Sequence, residues 1–251
     1  MKRPLALFLK AIRSDFVKVS TWTGVSSIVK MISGFISIKV VANVIGPSGI
    51  ALVGQFMNWI ALISTVGTGG IGLGVTKYIS QYYDEPPKQR SIIAHAVRVT
   101  LATTFLTSLV VMIFSNKLGF YIFGTNQYNA LIIFWGISIS LFSLNSLMIS
   151  ILNGFKSFKK YVKVNIAISI FSLALTVFLV LSFGLYGALV NCVVTQSLTI
   201  IVTLIFLHKE PWFSSLFASI KIEWRVIKKI GAFTLMALTS ALLVPFTQLA
   251  I

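Results

Sequence analysis

The most constraining feature of this chain is a series of apolar runs, each long enough to cross a bilayer. Crossing about 30 Å of hydrocarbon takes roughly 20 apolar residues in a helix. Six such runs cover residues 21–45, 49–70, 95–115, 129–152, 163–182 and 186–207, and a seventh begins near Gly231 and is cut off at Ile251. The second is expected to continue as helix toward Tyr83. Runs five and six meet at Phe183-Gly184-Leu185, and 163–207 read as one helix is far too long for a single crossing. Only 10% of the residues are charged, against about 25% in soluble domains, so lipid must be the bulk solvent for most side chains. The expected fold class is an all-α polytopic membrane protein, with one six-helix bundle followed by the start of a further span.

Charge orients the runs. Of 21 lysines and arginines, 18 fall in four segments: the N-terminal stretch 1–20, 77–98, 156–163 and 208–229. The alternating connections, 46–48, 116–128 and 183–185, hold only Lys117. Basic residues collect on the cytoplasmic side, so the N-terminus is expected inside. The net charge of +16 is thereby explained without nucleic acid. Residues 1–20 form a basic amphipathic segment with no cleavable signal pattern. Residues 208–230 read as an amphipathic cytoplasmic linker. Leu5, Phe8, Ile12 and Phe16 in the first, and Trp212, Leu216, Ile220 and Trp224 in the second, recur at helical spacing, as in helices lying in the headgroup plane.

Polar groups inside spans are costly and mark pathways or partners. Lys30 and Lys39 both fall in the first run. With Gly34 at its middle, Lys30 lies roughly 6 Å toward the cytoplasm and Lys39 roughly 7–8 Å the other way. Lys30 shares a stripe with Ser26, Ser33 and Ser37 that is expected to face protein or water. Lys39 lies on nearly the opposite face unless Gly34 bends the helix. All five acids, Asp15, Asp84, Glu85, Glu210 and Glu223, fall in or near the cytoplasmic segments. The lysines therefore call for an anion from elsewhere; a phosphate or diphosphate would suit. Gln55 and Asn58 in the second run are further candidate ligand contacts. Lys77, Asp84 and Arg98 are candidates for a cytoplasmic gate. Asn145, Asn191, Thr195 and Gln196 read mainly as hydrogen bonds between helices.

Enzymatic constellations are missing. His95 and His208 flank spans and read as interfacial, and no histidines or cysteines have metal spacing. No intramembrane carboxylate pair or serine–histidine–acid set is present. The lone Cys192 cannot form an internal disulfide. The glycine-rich stretch Gly67 to Gly74 lacks the Gly-Lys-Ser/Thr of a phosphate loop and reads as close packing or a hinge. No cofactor is expected.

Several short motifs carry a family resemblance. They are Val44-Ile45-Gly46-Pro47-Ser48-Gly49, Gly74-Val75-Thr76-Lys77-Tyr78-Ile79 with Tyr82-Tyr83-Asp84, Asn153-Gly154-Phe155, and Phe233-Thr234-Leu235-Met236-Ala237-Leu238. Their order, with Trp22-Thr23 and the two lysines, resembles the Wzx-type O-antigen translocases and the lipid III flippases of enterobacterial common antigen synthesis. These form the polysaccharide-transporter branch of the multidrug/oligosaccharidyl-lipid/polysaccharide exporter superfamily. The resemblance implies two six-helix bundles around a cavity, with residues 231–251 starting a second bundle that the chain truncates. It also implies alternating-access transfer of an undecaprenyl-diphosphate-linked oligosaccharide across a bacterial inner membrane. Glycan polymerase and chain-length machinery are the implied protein partners. The alternatives are a multidrug or cation exporter of the same superfamily and a non-transporting membrane fragment.

Overall fold

The computed structural model describes residues 15–218, 223, 224, 226–228, 230 and 231, with side chains from residue 21 onward. Its elements are helices α1 (Asp15–Thr68), α2 (Ile71–Gln81), α3 (Pro86–Ile113), α4 (Ser115–Phe123), α5 (Asn129–Gly154) and α6 (Phe158–Leu207), then a 3₁₀ turn at Phe213–Phe217. No strand occurs among the described residues. Residues 1–14 of the amphipathic N-terminal segment and residues 232–251 of the seventh run lie outside the described residues.

Two of these helices are each a pair of crossings. A straight helix of 54 residues, the length of α1, would extend roughly 80 Å, far beyond the hydrocarbon. Gly46 interrupts it at φ 68°, ψ −176°, a region essentially restricted to glycine. Pro47 then occupies the first turn of the second segment, where its missing N–H is not needed. In α6 the break is Gly184, at φ 54°, ψ −131°. There the chain folds back on itself. Asn191 Nδ2 donates to Thr176 Oγ1 at 3.1 Å, although a straight helix would hold residues 15 apart at roughly 22 Å. Four helices are long and apolar enough to cross a membrane; dividing two of them yields the six crossings expected over residues 21–207.

Two elements depart from expectation. The second crossing does not continue unbroken to Tyr83: Gly69 and Gly70, both at positive φ, end α1 and redirect the chain into α2. The connection 116–128 is not plain loop, because residues 115–123 form α4. Its Ile122 is buried while Phe120 and Tyr121 are exposed.

Lipid supplies no hydrophobic drive between helices, so close approach and polar contacts hold the bundle together. Helices α2 and α5 show both. A Cβ at Gly154 would lie 2.9 Å from the Ile79 Cβ and 3.1 Å from the Thr76 carbonyl oxygen, so a side chain there would require α2 to shift. Thr76 Oγ1 donates to the Ser150 carbonyl at 2.8 Å. Deeper in the bundle, Asn145 Nδ2 donates to Thr199 Oγ1 at 3.2 Å, joining α5 to α6.

The buried side chains form two clusters. One contains Val75, Ile93, Ile151, Val164, Leu207 and Trp212, beside the connections 77–98, 156–163 and 208–229. The other contains Phe56, Ile122, Ile132, Trp135, Val180 and Leu189, beside 46–48, 116–128 and 183–185. The basic connections are thus gathered at one end of the bundle and the charge-poor ones at the other.

Candidate functional site

The first crossing is the least covered part of the described bundle: over residues 21–45 only Ser26 and Ser33 are buried. It touches the other helices along a narrow seam in which Ser26 and Ser33 are buried and Ser37 is half-buried. The serine stripe therefore faces protein. Lys30, on the same stripe, is exposed beside it. Lys39 is exposed as well. The helix runs uninterrupted through Gly34, since its one non-helical residue is Gly46. Nine residues at about 100° each then leave the lysines on opposite faces. Neither has a carboxylate within ion-pair distance among the described residues. On the second crossing Gln55 is exposed and Asn58 half-buried, one helical turn apart.

At the basic end, Lys77 Nζ lies 5.5 Å from the centroid of the Tyr78 ring. Asp84 is exposed in the turn between α2 and α3. Arg98 is half-buried twelve residues into α3, roughly 18 Å along the axis from Pro86. Lys77 thus lies on α2, Asp84 in the connecting turn and Arg98 on α3. In the same turn Glu85 and Lys88 form an ion pair at 2.6 Å, which raises the exposed Lys88 ammonium above its usual range.

The described part of the linker, residues 208–218 with Glu223, packs against the bundle; Ile220 of the amphipathic stripe lies outside the described residues. Trp212 is buried and stacks on Phe155, with centroids 5.9 Å apart. Glu210 pairs with Lys160. The 3₁₀ turn ends at Ala218 in extended geometry, and Trp224 is exposed. His95, expected at an interface, is instead fully buried and holds this segment. Its Nδ1 lies 2.7 Å from the Ser91 carbonyl, and its Nε2 accepts the Glu223 backbone N–H at 2.9 Å. This pattern assigns the neutral tautomer protonated on Nδ1. The only signal in the sequence was a histidine within an otherwise apolar run, which names no partner.

The arrangement offers cations at membrane depth and hydrogen-bonding groups on neighbouring crossings. Among the described residues no group of histidines, cysteines and acids could hold a metal.

Known proteins share this architecture. A solved MATE structure, in complex with MaD3S, superposes with TM-score 0.69 at 16% identity, over 90% of this chain and 53% of that one. A MOP superfamily transporter from Pyrococcus furiosus Vc1 (DSM3638) superposes with TM-score 0.64 at 16% identity, over 90% of this chain and 52% of that one. These likenesses show the fold. In sequence, the chain is 26% identical to the lipid III flippase of Escherichia coli (strain K12) over 92% of its own length and 56% of that protein's. A lipid III flippase of Shigella flexneri matches equally, at 26% over the same shares. The chain spans about half the length of these relatives. The family described as "Polysaccharide biosynthesis protein" matches residues 16–248. This multi-pass membrane chain, with six crossings described and cations exposed on the first, belongs to the polysaccharide biosynthesis protein family.

Proposed function

We propose that this chain forms one lobe of a flippase for oligosaccharides linked to undecaprenyl diphosphate, carried from the inner to the outer leaflet of a bacterial inner membrane. The observation that carries the reading is the pair of exposed lysines on the least covered crossing of a polysaccharide-family protein. An ammonium in a low-dielectric setting is stabilised by an anion, and a lipid diphosphate supplies one. Lys30 would take the diphosphate, with Gln55 and Asn58 offering hydrogen bonds to the sugar. Lys77, Asp84 and Arg98 would contribute to the cytoplasmic gate. The bias of basic residues supports a cytoplasmic N-terminus. Residues 21–207 would form the lobe, and 208–230 would lead to a second lobe beginning near 231.

A rival reading, drug or cation export, draws on the fold shared with the MATE structures. Cation export favours a carboxylate at membrane depth, whereas the acids of this chain sit in or beside the basic segments. Complementation decides between the two. The intact protein should restore surface glycan to a strain lacking its lipid III flippase, and a Lys30→Gln variant should not. Restoration by Lys30→Gln at the wild-type level would remove Lys30 from the site. Drug resistance without glycan restoration would favour the exporter.

A further inference from the structure

At the basic end of the bundle, the turn before α3, the α5–α6 turn and the segment after α6 enclose a cleft of about 470 Å³. Its walls carry the Arg90 guanidinium and the Ser157 hydroxyl among largely apolar neighbours, while the Ser214 hydroxyl donates to the Pro211 carbonyl at 3.4 Å. Behind the wall, Trp212 is only 6% exposed, and its Nε1–H, itself buried, has no acceptor among the described residues. The carboxylate in the wall, Glu210, is already paired with Lys160. Helix α6 starts at this wall, and its N-cap Ser157 makes no side-chain capping bond. The positive end of the helix is thereby left to other acceptors.

One residue beside the cleft sits where its backbone is strained. Lys156, at φ 54°, is the one non-glycine residue at positive φ among the described residues. Its N–H donates to the Asn153 carbonyl at 3.0 Å, and the Ser157 N–H to the Leu152 carbonyl at 3.4 Å. This is a Schellman closure, whose left-handed position ordinarily holds glycine. Here that position carries an ammonium 5.6 Å from the centroid of Tyr83, itself a wall residue.

We propose that this cleft is a phosphate-binding site, separate from the cations of the first crossing. A single charged group entering it would meet Arg90 and the Ser157 hydroxyl at the start of α6, with Lys156 alongside. The chemistry fits a phospholipid headgroup or free inorganic phosphate, and the position at the basic end of a membrane bundle favours the lipid.

The test is native mass spectrometry of the intact protein, purified in detergent and titrated with phosphatidylglycerol, phosphatidylcholine or sodium phosphate. Phosphatidylglycerol should be retained more tightly than phosphatidylcholine, and about fivefold more weakly after Lys156→Gly. Glycine removes the charge and the backbone strain together, so lost binding would not reflect misfolding. Adding Arg90→Gln should weaken retention further. Displacement of the lipid by millimolar phosphate, with the same sensitivity to the variants, would identify free phosphate as the ligand and still support the site. Equal retention of the two lipids would overturn the proposal, as would undiminished binding by the double variant or no binding of lipid or phosphate to the wild type.

Discussion

The ring of His95 and the backbone of Glu223, 128 residues apart, are joined by a 2.9 Å hydrogen bond in which Nε2 accepts the N–H. Substituting His95 by Phe keeps much of the ring volume but strands that donor, at a cost of about 1–3 kcal/mol. The expected outcome is at least tenfold faster amide exchange across residues 223–231, with α5 and α6 little changed. Hydrogen exchange followed by mass spectrometry measures it. Unaltered protection of Glu223 would mean that the segment is held by its other contacts.

Lys30 and Lys39 occupy opposite faces of one uninterrupted helix, so a single cavity should not engage both from one side. Their neutralisation should therefore have unequal effects. Lys30→Gln should lower lipid-linked oligosaccharide transfer by about tenfold or more, the value of one charge-assisted contact, while Lys39→Gln stays within about threefold of wild type. Flipping measured in proteoliposomes reads both. Equal losses would place a bend at Gly34 during transport.

Asn145 and Thr199 are buried, and their side chains bond across α5 and α6. A double-mutant cycle with Asn145→Leu and Thr199→Val should return a coupling near 0.6 kcal/mol and below about 1.7 kcal/mol, as for other hydrogen bonds inside membranes. Unfolding in mixed micelles is a suitable measurement. A coupling of zero would leave packing alone to join these helices.

The α6 hairpin depends on two glycines. Gly184 adopts a positive φ, and a Cβ at Gly187 would fall 1.9 Å from the Leu179 carbonyl oxygen. Gly184→Ala should cost about 1–3 kcal/mol through backbone strain. Gly187→Ala should be worse, because the atom it meets is backbone and the two arms must separate. Folded yield and thermal midpoint in detergent test the order of the two variants.

Lys156→Gly should raise stability by about 1 kcal/mol, since glycine adopts the left-handed conformation without the Cβ penalty. A higher thermal midpoint is expected. A fall would show that contacts of the lysine side chain outweigh its backbone cost.

The sequence by itself determined the crossings, and the described structure divides residues 21–207 as the apolar runs do, because a bilayer of fixed thickness translates directly into a residue count. Both reversals were legible for a related reason: Gly46-Pro47 and Gly184 stand where adjoining apolar runs together are too long for one crossing. The intramembrane lysines were equally visible, since a cation in an apolar run needs no fold to be noticed. Tertiary structure alone decided the partnerships. His95 looked interfacial by position, yet it is buried because a segment more than a hundred residues later folds over it. Trp212 fitted an amphipathic stripe as well as a core site, and the presence of Phe155 across the turn settled which. The cleft beside Arg90 draws its walls from three separate connections. The hydrophobic period of one helix reports that it has an apolar face; which residues meet that face depends on chain reversals far away, and no local pattern encodes them.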